Sequence, residues 1–288
     1  MEGSFFAIFA ARALKVAATF AKMKSNREEA GEIMPNANDY IAVFDSGVGG
    51  LSVLRHLLRA MPGERFLYFG DSANAPYGIR PPHEIRQLTL AAAENLVARG
   101  IKALVVACNT ATSIAIEDLR QKYPQLIVIG IEPALKLAAD HFPGGRIGVM
   151  ATPVTLQEEK FARLLQRYED HCAIHKLPAP GLVELIESGN VNTPETRQLL
   201  HSLLAPYAGK LDALVLGCTH YPFAAAEISA ILGAGTTLLD GGEGTARETQ
   251  RRLAAADLLR DGEGEILIQS SAEDPQMLQR CWELLKAE

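Results

Sequence analysis

The chain has 288 residues, 48% of them hydrophobic and 22% charged, and its formal net charge is −6. This balance is typical of a globular protein, with length enough for two domains, and it argues against general disorder. An acidic chain with scattered basic residues offers no broad surface for phosphate backbones, so we do not expect a nucleic acid as the main partner.

Residues 1–38 form an extension before the first predicted strand. Apolar residues dominate its first part, but Arg12 and Lys15 interrupt them, so the segment fits neither a signal peptide nor a membrane span. We interpret it as a loosely attached amphipathic extension or as the product of an upstream start codon. The alternative is a surface helix that touches a membrane or a partner. Its polar second part, from Ser25 to Asn38, is typical of a linker.

The first predicted strand, 41–44, leads into a glycine-rich turn, DSGVGG at 45–50, and then into leucines at helical spacing. The turn lacks the G-x-G-x-x-G pattern and a Walker lysine, so it is a weak nucleotide signal. We interpret it as a tight turn that admits a small anion. Asp45, at the strand end, is a candidate to face a substrate ammonium or Cys108, or else a plain helix cap.

A long, turn-rich loop at 69–79 follows the second predicted strand. Loops of this kind carry function more often than they support a core. We expect Tyr77 to present a hydroxyl, and Gly78 an N–H group, to a carboxylate.

Two strand-and-turn patterns occur twice in the chain. ALVVACNT at 103–110 resembles ALVLGCTH at 213–220, and the strand at 41–44 resembles the one at 147–150. The first pair is offset by 110 positions and the second by 106. Similar offsets indicate an internal duplication, and the apolar strands are of the kind buried on both faces of a parallel sheet. We therefore predict an α/β protein with two pseudo-symmetric, open, mainly parallel-sheet domains that face one another across a central cleft.

Ligands of open parallel sheets bind beyond the carboxyl ends of the strands. Cys108 and Cys218 lie at such ends, as do Asp45 and Ser46, with Thr152 and Thr155 a little further on. The predicted symmetry places the two cysteines on opposite walls of one cleft. A thiol exchanges protons near neutral pH, so such a pair can remove a proton from one face of a carbon and return one to the other. This is what inversion of a stereocentre requires.

The other two cysteines, Cys172 and Cys281, are expected to be inert core residues. The wide spacing of all four suits a reducing compartment, and without a C-x-x-C pair the usual zinc-ribbon and thioredoxin patterns are absent. Beside the predicted pair, Asn109, Thr110 and Thr219 offer side-chain donors. Together with the N–H groups of the following helices, these could hold the two carboxylates of a dicarboxylic amino acid. His220 is a candidate to tune Cys218 or relay a proton, or else a capping histidine.

Five stretches together resemble the glutamate racemases of the aspartate/glutamate racemase superfamily, in the expected order between about residues 40 and 250. They are FDSGVGGLSVL (44–54), YFGDSANAPYG (68–78), VVACNTAT (105–112), VLGCTHYPF (215–223) and DGGEGTA (240–246). The resemblance implies racemisation of glutamate by two-base proton transfer without cofactor or metal, supplying D-glutamate for peptidoglycan, cell wall biogenesis and cell shape in a bacterial cytoplasm.

The resemblance also assigns roles to residues. Cys108 is similar to the cysteine that handles D-glutamate, and Cys218 to the one that handles L-glutamate. Glu187 resembles an acid that assists the second cysteine, although Glu184 lies in the same motif. The family's substrate-contact positions fall on Asp45, Ser46, Tyr77, Gly78, Asn109, Thr110, Thr219 and His220.

The family's final helices return to the first domain. We therefore expect a discontinuous first domain over 39–135 and 247–288, and a second over 136–246. The stretch around Cys172 is less similar to the family, and the extension exceeds the usual start. Some extended members respond to a peptidoglycan precursor, so that activator is a candidate partner, as is a second copy of the chain in a homodimer.

Three alternatives stay open at this stage. A related racemase of aspartate or a hydantoin differs in substrate. A non-catalytic amino-acid binding protein would also have two domains around a cleft, although binding needs no paired cysteines. A thiol redox pair requires Cys108 and Cys218 to approach disulfide distance.

Overall fold

The computed structural model describes residues 35–131, 134–272 and 274–286. Most of the expected N-terminal extension, residues 1–34, lies outside the described residues. Over the described ranges, no helix combines the length and the apolar character that crossing a membrane demands.

Strands and helices alternate along the chain, as the sequence pattern predicts. The strands are β1 (Ile41–Asp45), β2 (Arg65–Gly70), β3 (Ala103–Val106), β4 (Ile127–Gly130), β5 (Arg146–Ala151), β6 (Ala173–Pro178), β7 (Ala213–Leu216), β8 (Thr237–Asp240) and β9 (Glu265–Ser270). The helices are α1 (Leu51–Ala60), α2 (Pro82–Val97), α3 (Asn109–Lys122), α4 (Leu135–His141), α5 (Pro153–Gln157), α6 (Glu159–Glu169), α7 (Leu182–Glu187), α8 (Pro194–Leu204), α9 (Ala225–Leu232), α10 (Gly242–Ala255) and α11 (Pro275–Lys286). Short 3-10 turns cover 72–74, 77–79, 205–207 and 221–224.

The strands form two parallel sheets with matching order. The first runs β4-β3-β1-β2-β9 and the second β6-β5-β7-β8. Starting from its other edge, the second sheet runs β8-β7-β5-β6, which matches β4-β3-β1-β2 of the first. The predicted fold class, two pseudo-symmetric α/β halves, is confirmed. We call the part built on the first sheet the first domain and the part built on the second sheet the second domain.

The last strand returns to the first sheet. β9 pairs with β2, and Arg65 lies opposite Glu265 in their register. Helix α11 then packs against β9 and α1. The domain boundaries expected after residues 135 and 246 stay a prediction.

The strands that carry the site are buried on both faces. Along β1, Ile41 and Val43 belong to one apolar cluster, and Ala42 and Phe44 belong to another on the opposite face. The first of these clusters continues into the second domain, where it includes Leu214 of β7. Burial of a side chain of this size contributes about 1.5–3 kcal/mol. The apolar cluster shared by the domains therefore holds the two sheet edges that carry the cysteines in a fixed relation.

Two helices, α5 and α6, follow β5 and are separated at Glu158. Thr152 caps α5 by accepting a hydrogen bond from the N–H of Thr155, and Pro153 occupies its first turn. Glu158 then adopts an extended backbone with ψ 135°, which interrupts the helical hydrogen bonds before α6 begins.

Candidate active site

The two cysteines lie at equivalent points of the two sheets. Cys108 follows β3 and forms the N-terminal cap of α3, where its sulfur accepts from the N–H of Ala111 at 3.4 Å. Cys218 follows β7 and precedes the 3-10 turn at 221–224. In each domain the thiol therefore stands at the carboxyl end of a central strand, the edge at which parallel sheets bind ligands.

Both thiols line one cavity between the domains. It measures about 250 Å³, including the space open to solvent at its mouth. The first domain contributes Ser46, Tyr77, Gly78, Cys108, Asn109 and Thr110. The second contributes Thr152, Val183, Cys218, Thr219 and His220. The structure thus brings together, from two domains, every predicted substrate-contact residue except Asp45.

Cys108 lies in a buried and negatively charged environment. Its side chain is almost fully buried, and its thiol donates to Ser46 Oγ at 3.6 Å. Burial and the nearby charge of Asp45 raise the pKa of Cys108 to about 12, although the hydrogen bonds from Ala111 and to Ser46 act in the opposite direction. These effects favour the protonated thiol, and a positive charge brought by a ligand would favour the thiolate.

Cys218 has a different partner. Its sulfur lies 3.6 Å from His220 Nδ1, and His220 Nε2 lies 2.5 Å from Glu187 Oε1. Burial alone lowers the pKa of His220, but its hydrogen bonds to Cys218 and Glu187 outweigh burial, so the pKa lies well above its ordinary value. A histidine that holds its proton beside a sulfur favours the thiolate by charge attraction. The two thiols thus have unlike surroundings.

Glu187, and not Glu184, is the acid that the structure brings to His220. The carboxylate of Glu187 also accepts from the N–H of Val48 at 2.8 Å, whereas Glu184 is exposed. The glycine-rich turn of the first domain therefore receives an anion from the protein itself. A Cβ atom at Gly47 would lie only 1.7 Å from Glu187 Oε1, so this turn needs glycine for close approach of the second domain.

Asp45 lies behind the cavity wall, not in it. Its side chain is fully buried, and it accepts from the N–H of Gly47 at 3.0 Å and from the hydroxyl of Thr219 at 3.0 Å. Burial raises the pKa of Asp45 above its ordinary value, although His220 acts in the opposite direction. Asp45 therefore acts on the cavity through its charge and by orienting Thr219.

The two polar side chains that follow Cys108, Asn109 and Thr110, differ in whether they already form hydrogen bonds. The amide nitrogen and oxygen of Asn109 are buried at the cavity and have no hydrogen-bond partner among the described residues. An unpaired buried amide is costly, so it is well placed to bind a polar ligand. The hydroxyl of Thr110 instead lies 3.2 Å from that of Thr152 and 3.0 Å from that of Thr155.

The loop at 69–79 lines the cavity, but not with the tyrosine hydroxyl that was expected from the sequence. Tyr77 lines the cavity, but its hydroxyl donates to Asp71 Oδ2 at 2.6 Å, and the amide of Asn74 also bonds this carboxylate. Tyr77 would therefore contact a ligand through its ring or its main chain. Gly78 packs against Thr152, where a Cβ atom would lie 2.7 Å from the threonine side chain.

Sequence reasoning missed two residues of this site. Val183 lines the cavity from α7, and Asp71 holds Tyr77 in place. Asp71 directly follows β2, beside the end of β1, so its position at a strand end was the available signal. The remaining cysteines, Cys172 and Cys281, are buried and do not line the cavity.

A sequence profile of the family described as Asp/Glu/Hydantoin racemase matches residues 41–249, most of the chain. The chain belongs to this racemase family. The resemblance found in its motifs is confirmed, as is the prediction of an isomerase.

Individual members of the racemase family are similar over nearly their whole length. The glutamate racemase of Clostridium acetobutylicum is 48% identical over 251 residues, which cover 86% of this chain and 98% of that protein. The crystal structure of the Thermus thermophilus glutamate racemase in complex with beta-chloro-D-alanine is 37% identical with a TM-score of 0.75, covering 88% of this chain and 94% of that one. The Escherichia coli glutamate racemase, in complex with L-glutamate and the activator UDP-MurNAc-ala, is 30% identical with a TM-score of 0.76, covering 88% and 94% respectively.

Proposed function

We propose that the protein is a glutamate racemase that interconverts L- and D-glutamate by proton transfer between Cα and the thiols of Cys108 and Cys218. The observation that carries the proposal is that two thiols, each at the carboxyl end of a central strand, line one cavity from different domains. Relatives that are glutamate racemases, 44–48% identical over about 86–88% of this chain, support glutamate as the substrate.

In the proposed reaction one cysteine is a thiolate and the other a thiol. The thiolate takes the proton from Cα, the electron pair stays on the substrate as a carbanion stabilised by its carboxylate, and the other thiol gives a proton to the opposite face. After one turnover the protonation states of the two cysteines are exchanged. Cys108 removes the proton of D-glutamate and Cys218 that of L-glutamate.

The charged groups around the cavity support a thiolate at Cys218 as one starting state and a thiolate at Cys108 as the other. The hydrogen bonds of His220 raise its pKa, which favours a positive charge between Cys218 and Glu187 that would attract a thiolate during the reaction. For Cys108, whose pKa burial raises, the positive charge of the substrate ammonium would favour the thiolate. Asp45 attracts the same ammonium from behind the wall, through its buried charge.

The substrate carboxylates require donors. The unpaired amide of Asn109 and the N–H groups at the start of α3 supply them. The hydroxyls of Thr110 and Thr219 can join them by exchanging their present hydrogen bonds, to the hydroxyls of Thr152 and Thr155 and to Asp45, for bonds to the substrate. Ser46, Tyr77 and Gly78 lie on the same wall of the cavity. Hydrogen bonds from these groups to both carboxylates would hold Cα between the two sulfur atoms, which is the geometry that racemisation needs.

The cellular role follows from the product. We propose that the protein supplies D-glutamate for peptidoglycan synthesis in the cytoplasm, and thereby serves cell wall biogenesis and cell shape. A peptidoglycan precursor is proposed as an activator, since the Escherichia coli relative was crystallised with UDP-MurNAc-ala as its activator. A homodimer is proposed as the assembly, to be checked by analytical ultracentrifugation.

The decisive experiment follows the proton. Racemisation of L-glutamate in heavy water should place solvent deuterium at Cα of the D-glutamate product, as NMR and mass spectrometry would show. Cys108→Ala and Cys218→Ala should each abolish turnover in both directions, whereas Cys172→Ala, at a buried thiol outside the cavity, should retain it. Racemisation that survives in either site variant would refute the two-thiol mechanism.

Substrate choice is tested separately. Circular-dichroism assays with glutamate, aspartate and a hydantoin should give turnover of glutamate far above that of the other two. Binding of glutamate without any turnover by the wild-type protein would instead indicate an amino-acid binding protein.

A further inference from the structure

Helix α11, at the end of the chain, contacts the segment that carries Glu187. The Nη1 group of Arg280 donates to the main-chain carbonyl oxygen of Glu187, 93 residues earlier in the chain. Glu187 is the last residue of α7, where carbonyl groups lose their helical partners. A cation at a helix C-terminus is favourable, and a guanidinium can satisfy such a carbonyl.

The backbone after Glu187 leaves room for the Arg280 side chain. Gly189 has φ +83°, a left-handed conformation that suits glycine, and its missing Cβ would lie 3.2 Å from Arg280 Nε. The Arg280 side chain therefore lies directly over the turn that ends α7. This turn fixes where the α7 terminus, and with it the Glu187 side chain, points.

The same helix is anchored to the first domain. Cys281, next to Arg280, is almost fully buried in the apolar cluster shared by the two domains. Arg55 of α1 donates to the carbonyl oxygen of Leu284, near the end of α11. Helix α11 thus connects the first domain to the α7 terminus of the second domain.

From Glu187 the contacts lead to a thiol. One carboxylate oxygen of Glu187 accepts from the N–H of Val48 at 2.8 Å and lies 2.5 Å from His220 Nε2. The other nitrogen of His220 faces the sulfur of Cys218. A displacement of the α7 terminus would therefore alter the partner of His220 and the charge beside Cys218.

We infer that Arg280 is a positioning residue for the reaction at Cys218, which it serves by holding Glu187 against His220. The inference rests on the proposed racemase function. It assigns to the C-terminal helix a role in catalysis beyond closing the first domain. Arg280 does not line the cavity, so its effect passes through Glu187.

The test compares three replacements at Arg280 with one control on the same helix. Arg280→Ala removes the guanidinium, Arg280→Met keeps the aliphatic stem and its packing, and Arg280→Lys keeps a cationic donor. Gln279→Ala is the matched control, because within the described residues this exposed side chain bonds just Glu283 of its own helix. Turnover of glutamate, its KM and the thermal unfolding midpoint are measured for each.

Loss of the guanidinium should lower kcat by about 10- to 100-fold, as small displacements of a catalytic group do, with a smaller change in KM. Arg280→Lys should restore part of this loss, and Gln279→Ala should match the wild type. If Arg280→Ala does not fold, Arg280→Met gives the same comparison with the packing preserved. A folded variant without the guanidinium that keeps wild-type kcat would overturn the inference.

A second readout separates positioning from a merely structural role. The imidazole of His220 is titrated by NMR in the wild type and in Arg280→Met. The titratable groups facing His220 are Glu187, Cys218 and Asp45, and the groups near Glu187 include the Arg280 guanidinium and the Cys281 thiol. With Glu187 displaced, His220 should release its proton at a lower pH. An unchanged titration would show that Arg280 only supports the fold.

The two proposals fail in distinguishable ways. An inactive wild type would reject the racemase function, whereas the NMR titration needs no turnover and still tests the contact. Arg280→Met should also cost little further activity in a Glu187→Ala background, because both changes remove the same support. Additive losses would contradict action through Glu187.

Discussion

Thr219 of the second domain donates its hydroxyl to the carboxylate of Asp45 in the first, across 3.0 Å. Both side chains are buried, and the main-chain carbonyl of Thr219 accepts from the hydroxyl of Ser52 at 2.9 Å. One residue thus joins the domains through two hydrogen bonds directly beside Cys218. The packing of the two domains and the position of the thiol are therefore linked at this point.

Replacement of Thr219 by valine tests this link. The variant keeps the shape of the side chain but leaves the buried carboxylate of Asp45 with one donor fewer. The free energy of unfolding should fall by about 1–3 kcal/mol, the usual cost of an unpaired buried polar group. Urea denaturation measures it. Thr237→Val, at an exposed position of β8, is the control and should change stability by less than about 0.5 kcal/mol.

Gly47→Ala should damage catalysis more than folding. The added Cβ would overlap Glu187 Oε1 at 1.7 Å, so Glu187 must move away from His220. We expect kcat to fall about 100-fold, as for other misplacements near reacting groups. Steady-state assays of both enantiomers check this, and kcat/KM must fall equally in the two directions because the free energies of the enantiomers are equal.

The control for this change is Gly244→Ala. This glycine lies in α10, and beyond its own helix backbone no atom of the described residues lies within 4 Å of the added Cβ. Turnover should stay at the wild-type level, and stability should rise by about 0.5–1 kcal/mol because alanine favours the helix. Full activity of Gly47→Ala would mean that the approach of Glu187 to this turn is dispensable.

His220 should make stability depend on pH. Its pKa in the folded protein lies well above the ordinary value, since hydrogen bonds to Cys218 and Glu187 outweigh burial. Below about pH 6.5 the imidazole is protonated in both states, so its contribution to stability is complete there. As pH rises through the folded-state pKa the contribution is lost, because the unfolded chain releases its proton first.

The difference in free energy of unfolding between the wild type and His220→Asn should therefore become smaller as pH rises. Urea denaturation of both proteins between about pH 6 and pH 9 gives the difference, which for one proton can change by at most about 1.4 kcal/mol per pH unit. A pH-independent difference would show that His220 is not protonated preferentially in the folded protein.

A buried ion pair at the opposite end of the first sheet provides a prediction on stability alone. Lys102 Nζ lies 2.6 Å from Glu64 Oε2 and also donates to the carbonyls of Ala37 and Leu258. Lys102→Met leaves Glu64 buried without its cation, which should cost about 3–5 kcal/mol. Thermal and urea unfolding measure the loss. Lys122→Met, which removes an exposed pair with Glu94, should leave the midpoint nearly unchanged.

The sequence predicted those site residues that come directly after a strand. Cys108, Cys218, Ser46 and His220 follow apolar strands, and parallel sheets gather such positions at one edge. The repeated strand pattern also predicted two similar α/β domains with strands buried on both faces, and alternate residues of β1 and β7 do face different apolar clusters.

Contacts between distant segments were not predictable in this way. Val183 reaches the cavity from α7, and no local pattern connects Arg280 with Glu187, since side-chain direction depends on how the helices pack. Asp45 was predicted at the site, but its burial behind the wall follows from the approach of Thr219, which only the assembled domains define.

The pairing of β9 with β2 has a consequence for synthesis on the ribosome. Arg65 bonds Glu265, 200 residues later, so the first sheet acquires its final strand only when nearly the whole chain has emerged. Until then β2 presents an open edge, the feature that invites pairing with another nascent chain. The domain that is translated first is therefore the one completed last.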